Sequence, residues 1–393
     1  MSNENKLIKY FERKEIFRSE PFRLIDVGCS GGISDYWRTI GKHFTAIGFD
    51  PQRSEITRLN EVEANKNVWY LPAFVGLPSG HSFSVKKNDN LVKYGDKAKF
   101  FNVWNRLSSN LGAILRDEQP HLKLQSQSIN EDLVDSSDLI SIDVFCRNEN
   151  LNYVDFIKID VDGQDLEVLI SAESIVKSHC VLGFLIEVGF GGSEIETDSC
   201  FHNIDRKMRE LGYLLIDLDL YRYSRSALPS KFIYNILAQT EKGQVMYGNA
   251  LYIRDFLPEF SSTLWGHELS PIKLLKLASI YSLHGLDDIV AELLCVHREN
   301  LLDNIDVDYC LDLITPSFSG EKNSYAHFIE TFRKDVASFF PNDVRLSEPI
   351  TAELESLRKK IDELRHQVET YKNSRSWRIT RPLRSLAKII SPR

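Results

Sequence analysis

The chain has 393 residues, 42% of them apolar and 26% charged, an ordinary globular composition long enough for two or three domains. A formal net charge of −8 disfavours nucleic acid as the main partner, and no apolar run approaches the roughly 18 residues that a membrane-spanning helix requires. The charged N-terminus, MSNENKLIKYFERKEIFR, lacks the apolar stretch of a secretory signal, and six cysteines scattered without a C-x-x-C pair argue against structural zinc and a disulfide framework.

Short apolar runs follow one another along the first 255 residues: 22–27, 44–50, 68–73, 154–161, 181–188, 213–218 and 250–255. Most are nearly continuous rather than alternating, the pattern of strands covered on both faces. Helical patterns lie between them. One is capped at Asp35, with Trp37 and Ile40 on one face; another follows Gly163, with Leu166, Leu169 and Ile170 inward. A third carries Phe201, Ile204, Met208 and Leu211 and stops at Gly212. Seven strands with helices between them predict a doubly wound, Rossmann-like α/β sheet. The connection from about 76 to 153 exceeds what a crossover needs and is where substrate-binding elements are expected.

Beyond Asp255 the texture is helical. Residues 270–297 predict two short helices hinged at Gly285, and 324–340 a third, so that 259–345 reads as a small helical domain after a 1–258 domain. Residues 346–373 then read as a coiled coil. Ile350, Leu354, Leu357, Ile361, Leu364, Val368 and Tyr371 recur at alternating steps of four and three, the spacing of a seam through which the chain would self-associate. From Thr370 onward there are seven Lys/Arg and no acid, which leaves −15 on residues 1–369. In the tail 374–393, Trp377, Ile379, Leu383, Leu386, Ile389 and Ile390 stand among the basic residues, a composition suited to an anionic membrane surface. Pro382 interrupts any continuous helix there.

Three segments carry chemistry. In IDVGCSGG (25–32) a strand ending at Asp26-Val27 meets a turn containing Gly28, Cys29, Ser30, Gly31 and Gly32, which lets a ligand approach the backbone. The G-x-G-x-x-G fingerprint of a dinucleotide site is absent, so NAD is disfavoured. Asp50 ends the second strand in GFDP, about 20 residues on, where an acid holds both hydroxyls of a ribose. A turn that spares phosphate together with a ribose acid points to S-adenosylmethionine. In DFIKIDVDGQDLEVLISA (155–172), Asp160 and Asp162 stand at the end of the fourth strand, with Lys158 on the same face as Asp160. Lys158 also suits an ion pair that joins adjacent strands. Glu187, late in the fifth strand, lies beside the fourth, so that Asp160, Asp162 and Glu187 converge.

IDVGCSGG, GFDP, the 155–172 segment, the LIEV strand and the closing GQVMYGNALYIRD together resemble the FkbM family of S-adenosylmethionine-dependent methyltransferases over roughly residues 20–255. The fourth-strand segment is the most diagnostic, since the family typically reads D-h-h-K-h-D-h-E-G-x-E-x-x-h-L-x-G-A. This chain has Asp162 and Asp165 where glutamates are usual, Ser171 for the glycine, and Asp50 where the ribose acid is commonly Glu. The segment SRSWRITRPLR resembles C-terminal stretches of bacterial enzymes that assemble cell-surface polysaccharides.

The resemblance implies a class I methyltransferase sheet and O-methyl transfer, often to a sugar hydroxyl, on a bacterial glycan or lipid-linked saccharide; the basic tail adds the expectation of a cytoplasmic enzyme docked on the inner face of the cytoplasmic membrane. Asp160 or Glu187 would be the base, with Lys158 beside them; Asp26, residues 28–32 and Asp50 would hold the cofactor. Ser108 and Ser109, in the long connection, are substrate candidates with Asp162. A divalent ion on these acids is disfavoured because no histidine joins them at ligand spacing. His121 and His202 read as ordinary surface or core residues. A reading from another class is a non-catalytic scaffold that recruits partners through the coiled coil and tail.

Overall fold

The computed structural model describes residues 5–77, 139–161, 163–179, 181–190, 196–223, 241–257, 269–317 and 324–339, with positions 357, 359–361 and 363–364. The chain forms two compact units, 1–323 and 324–393.

The first unit is built on one seven-stranded sheet of order β3-β2-β1-β4-β5-β7-β6. Its strands are β1 (Phe22–Val27), β2 (Phe44–Asp50), β3 (Val68–Pro72), β4 (Phe156–Ile159), β5 (Gly183–Gly189), β6 (Tyr213–Tyr223) and β7 (Gln244–Arg254). β1 to β5 run parallel, while β7 runs antiparallel to both β5 and β6. All seven expected runs are strands. The last two extend further than their apolar cores, because they form a long antiparallel ribbon with each other.

Helices cover both faces, as the continuous apolar strands require. Ile25, Val27, Ile47, Phe49, Ile157, Ile159, Phe184 and Ile186 share one face with Phe145, Leu166, Leu169, Val176, Ile204 and Met208. These last residues come from α4 (Ile142–Asn148), α5 (Asp165–Ser171), α6 (Glu173–His179) and α7 (Phe201–Glu210). Gly212, at φ +81°, ends α7 as its C′ residue. Earlier in the chain come α1 (Lys6–Arg13), α2 (Asp35–Arg38) and α3 (Arg53–Val62). The N-cap of α2 is Ser34, so Asp35 is its first helical residue rather than its cap.

The opposite face gathers Phe22, Phe44 and Phe156 around the buried Trp37 of α2. The helices after residue 269 join this side: α8 (Pro271–Leu283), α9 (Asp287–Val296), α10 (Arg298–Leu301) and α11 (Val307–Ile314). α8 and α9 turn at Gly285 (φ +73°), as expected. These helices belong to the first unit, which continues to Asn323 rather than closing near 258. Lys276 of α8, buried, donates to Asp155 at 2.8 Å, to Glu20 at 2.8 Å and to the Pro21 carbonyl at 3.0 Å. A patch that buries a lysine against the foot of β4 is part of the sheet's own packing.

His284, which caps α8, sets its ring among Tyr36, Trp37 and Phe156. Burial, opposed by Asp217, lowers its pKa from 6.5 to about 4. The folded chain therefore keeps His284 neutral while the unfolded chain takes up a proton below pH 6.5. Its contribution to stability is complete above that pH and lost as pH falls to about 4. His284→Phe should remove this loss, so the variant gains on the parent by ~3 kcal/mol between pH 6.5 and 4. Urea midpoints across that range measure it, and a pH-independent difference would mean the ring is solvated.

In the second unit, α12 (Tyr325–Lys334) leads into a 3₁₀ turn whose Phe339 meets Phe328 and Phe332. The described positions between 357 and 364 are helical, and Leu357, Ile361 and Leu364 are about half exposed. The tail 374–393 lies outside the described residues.

Candidate active site

Strand register builds the site. Gly48, Asp26, Lys158 and Leu185 form one row across β2, β1, β4 and β5. One step further the pairs are Val27 with Phe49 and Ile159, and Ile159 with Ile186. The residues that follow each of these are Asp50, Gly28, Asp160 and Glu187. They crown four adjacent parallel strands at their C-terminal ends, on the same side of the sheet as Asp26 and Lys158, where open α/β sheets bind ligands.

Lys158 lies under this crown. Its ammonium is 3.2 Å from Asp26 Oδ1 and 3.3 Å from Asp160 Oδ2. Burial works against its charge, but Asp26 and Asp160 outweigh that and hold its pKa above the ordinary lysine value. Lys158 is therefore held as a cation that places Asp160, the ion pair its position on the strand suggests. Burial, opposed by Lys158, lifts Asp26 to about 6. Buried beneath the loop, Asp26 anchors the ammonium. Of the two carboxylates, that of Asp160 is the exposed one.

Above Asp26 the chain turns through the glycine loop, with Gly28, Gly31 and Gly32 at φ +85°, +85° and +92°. The amides of the loop are all engaged. Gly28 and Cys29 donate to the Phe49 carbonyl at 2.9 and 3.1 Å, and Gly32 to the Cys29 carbonyl at 2.8 Å. Ser30 donates to the Asp50 carboxylate, Gly31 to Glu55 Oε1 at 3.0 Å, and Ile33 to the Tyr70 hydroxyl at 3.2 Å. A pyrophosphate would need such amides free, so the loop is built for another ligand. Cys29 turns its side chain inward: a Cβ on Gly48 would stand 2.7 Å from its sulfur. Burial pushes the thiol pKa well up, so only the backbone of Cys29 can meet a ligand. Ser30 and Gly31 are exposed at the lip.

Asp50 is largely buried, and that burial raises its pKa against the hydrogen bond from the Gln52 amide. Behind the loop, Arg38 pairs with Glu63 through two contacts of 2.9 and 2.7 Å, and both touch the Tyr70 hydroxyl, which fixes α2 beneath it.

Two carboxylates in this region carry no site role in the sequence reading. Glu55, at the third position of α3, reaches back to the Gly31 amide; a Glu in the first turn just after a ribose-acid strand is the available signal. Asp165, buried at the start of α5, accepts from the Val161 amide through Oδ1 and from the Gly163 amide through Oδ2, both at 3.0 Å. It thereby clamps the turn that follows Asp160. Asp162, Ser108, Ser109 and His121 lie outside the described residues. His202 sits on α7 beside the Cys200 sulfur, 3.4 Å away. Among the described residues no group of three or more His, Cys, Asp or Glu could hold a metal ion.

The sheet order, with its single antiparallel strand between β5 and β6, and the crown at its C-terminal edge define a class I methyltransferase-like architecture. Residues 33–215 match the family model described as Methyltransferase FkbM domain. Over that stretch, a little under half of its length, the chain is similar to FkbM methyltransferases, and the glycine loop stands immediately before the matched residues. A solved structure, precorrin-6y C5,15-methyltransferase from Geobacter metallireducens GS-15, aligns at 8% identity with a TM-score of 0.29, over 63% of this chain and 91% of that one. No curated protein matches the chain.

Proposed function

We propose that the protein is an S-adenosylmethionine-dependent O-methyltransferase whose acceptor is a hydroxyl of a sugar or glycan, of the kind found in cell-surface polysaccharides or lipid-linked saccharides. The observation that carries this reading is the crown of Asp50, Gly28, Asp160 and Glu187 around a glycine loop whose amides are already engaged. The set of acceptors suits a ligand with a ribose diol and a cationic sulfonium and no phosphate. When bound, S-adenosylmethionine would supply an activated sulfonium methyl group for the acceptor oxygen, leaving as S-adenosylhomocysteine.

The chain's own residues supply the rest. Asp50 accepts from the ribose hydroxyls. Asp160 or Glu187 takes the proton of the acceptor, a weak acid that needs an aligned base. Lys158 holds Asp160 in place from below. Calorimetric titration of S-adenosylmethionine and S-adenosylhomocysteine into the full chain tests the reading. Saturable binding is expected, weakened about ten- to a hundredfold in Asp50→Ala, the worth of hydrogen bonds to a charged group. A folded protein that binds neither ligand would favour the scaffold reading instead.

Self-association through 350–371 and docking of 374–393 on an anionic membrane surface, placing the enzyme at the cytoplasmic face, belong to the same proposal. The half-exposed Leu357, Ile361 and Leu364 support a seam that a second copy would cover. No helix among the described residues is long and apolar enough to cross a membrane. Leu357→Asp with Leu364→Asp should lower the mass seen by light scattering, and removal of 374–393 should abolish binding to anionic liposomes. An unchanged mass, or equal liposome binding, would discard the respective element.

A further inference from the structure

Of the six amides from Gly28 to Ile33, five are satisfied by acceptors built into the fold: the Phe49 and Cys29 carbonyls, the largely buried Asp50 and the Tyr70 hydroxyl. Gly31 differs. Its partner, Glu55, is a partly buried side chain of the next helix, and nothing lies within 4 Å of where a Cβ on Gly31 would stand. Glu55 also has a second partner in Arg58, whose Nη2 is 2.6 Å from Oε1 and whose Nε is 2.8 Å from Oε2. Releasing the Gly31 amide therefore strands no charge. The amide is the one point on the loop where an incoming acceptor can be exchanged for the resident one, and the resident one is a carboxylate.

We infer that Glu55 is a specificity-determining latch: it occupies the Gly31 amide in the free protein and yields it to the carboxylate of the amino-acid end of the ligand. This rests on the cofactor reading given above. The consequence is a filter. Ligands with an α-carboxylate replace what they displace, carboxylate for carboxylate. Nucleosides without one gain nothing at this position, because the latch stays shut. Glu55 also repels an arriving carboxylate, so in wild-type protein that contact is weaker than the amide alone would make it.

Two measurements on the full chain test the latch. In ligand-free protein labelled at glycine, the Gly31 amide proton should exchange with solvent faster in Glu55→Ala than in wild type; equal exchange overturns the latch whatever the cofactor is. Titrations with S-adenosylhomocysteine and with 5′-methylthioadenosine, which lacks the amino-acid end, then read the filter. Glu55→Ala should tighten S-adenosylhomocysteine about three- to tenfold, the scale of one displaced hydrogen bond, and leave 5′-methylthioadenosine unchanged. Equal weakening of both would show that Glu55 itself holds the ligand and would overturn the filter. Absence of binding by wild type and variant alike would overturn the cofactor reading, while the exchange result still decides whether Glu55 closes the amide.

Discussion

Asp155→Ala is expected to destabilise the protein by about 3–5 kcal/mol, the cost of removing one partner from a buried ion pair. Asp155, fully buried just before β4, accepts from the Arg23 amide at 2.8 Å, from Lys276 at 2.8 Å and from Lys273. The two ammonium groups stand 4.6 Å from the Tyr153 ring, and the Arg23 guanidinium stands 4.3 Å from it. Glu20 is the second acid of the cluster, 3.1 Å from Lys273. Losing Asp155 leaves Lys276 buried with Glu20 and a carbonyl alone. Asp155→Leu combined with Lys276→Met should recover most of the loss, because an apolar pair carries no uncompensated charge. Denaturant unfolding of the single and paired variants measures both. A paired variant no more stable than Asp155→Ala would show that the Arg23 contact dominates. The same packing means that a chain ending near residue 258 exposes one face of its sheet and should not fold.

This cluster also shows why the helical region reads as separate from sequence. Its apolar spacing is local and complete within 270–297, whereas the contacts that bind it to the sheet join Lys276 to Asp155 and Asn5 to Ser282. No periodicity records partners more than a hundred residues apart. α1 escaped for a related reason: KLIKYFER is half charged, yet Leu7, Ile8, Tyr10 and Phe11 all face inward. The strands were legible because burial on both faces leaves continuous apolar runs. β6 was legible only to Leu218, beyond which Asp219 and Arg222 belong to the exposed ribbon.

Much of the crown was legible for a topological reason. Parallel strands deliver their C-terminal residues to one edge, so strand-end acids in successive runs must meet there. Asp50, Asp160 and Glu187 follow from that rule. What the rule does not supply is the direction of a side chain inside a turn. Cys29 sits in the loop by sequence and in the core by structure. Glu55 and Asp165 each bond a backbone amide set by the fold, which no residue type announces.

Gly28→Ala should be the most damaging single methyl in the site, costing about 2–5 kcal/mol and abolishing ligand binding, with Gly31→Ala as its control. Both glycines hold φ +85°, so each variant bears the ~1–2 kcal/mol that an L-residue forfeits in this region. Only the first also collides. A Cβ at Gly28 would stand 1.8 Å from the Asp160 carbonyl oxygen and 2.7 Å from its carbon, backbone atoms that cannot swing aside. The strand pair beneath is fixed as well, since the Asp160 amide donates to the Val27 carbonyl at 2.9 Å. Relief therefore requires the end of β4 to part from the loop, taking Asp160 away from Lys158 and from the crown, and such overpacking adds about 1–3 kcal/mol. Gly31→Ala meets open space and should keep both fold and ligand. Thermal unfolding and titration of the two variants separate the effects. If they lose equal stability, the cost is conformational alone, and the contact between the loop and Asp160 is looser than the strand register requires.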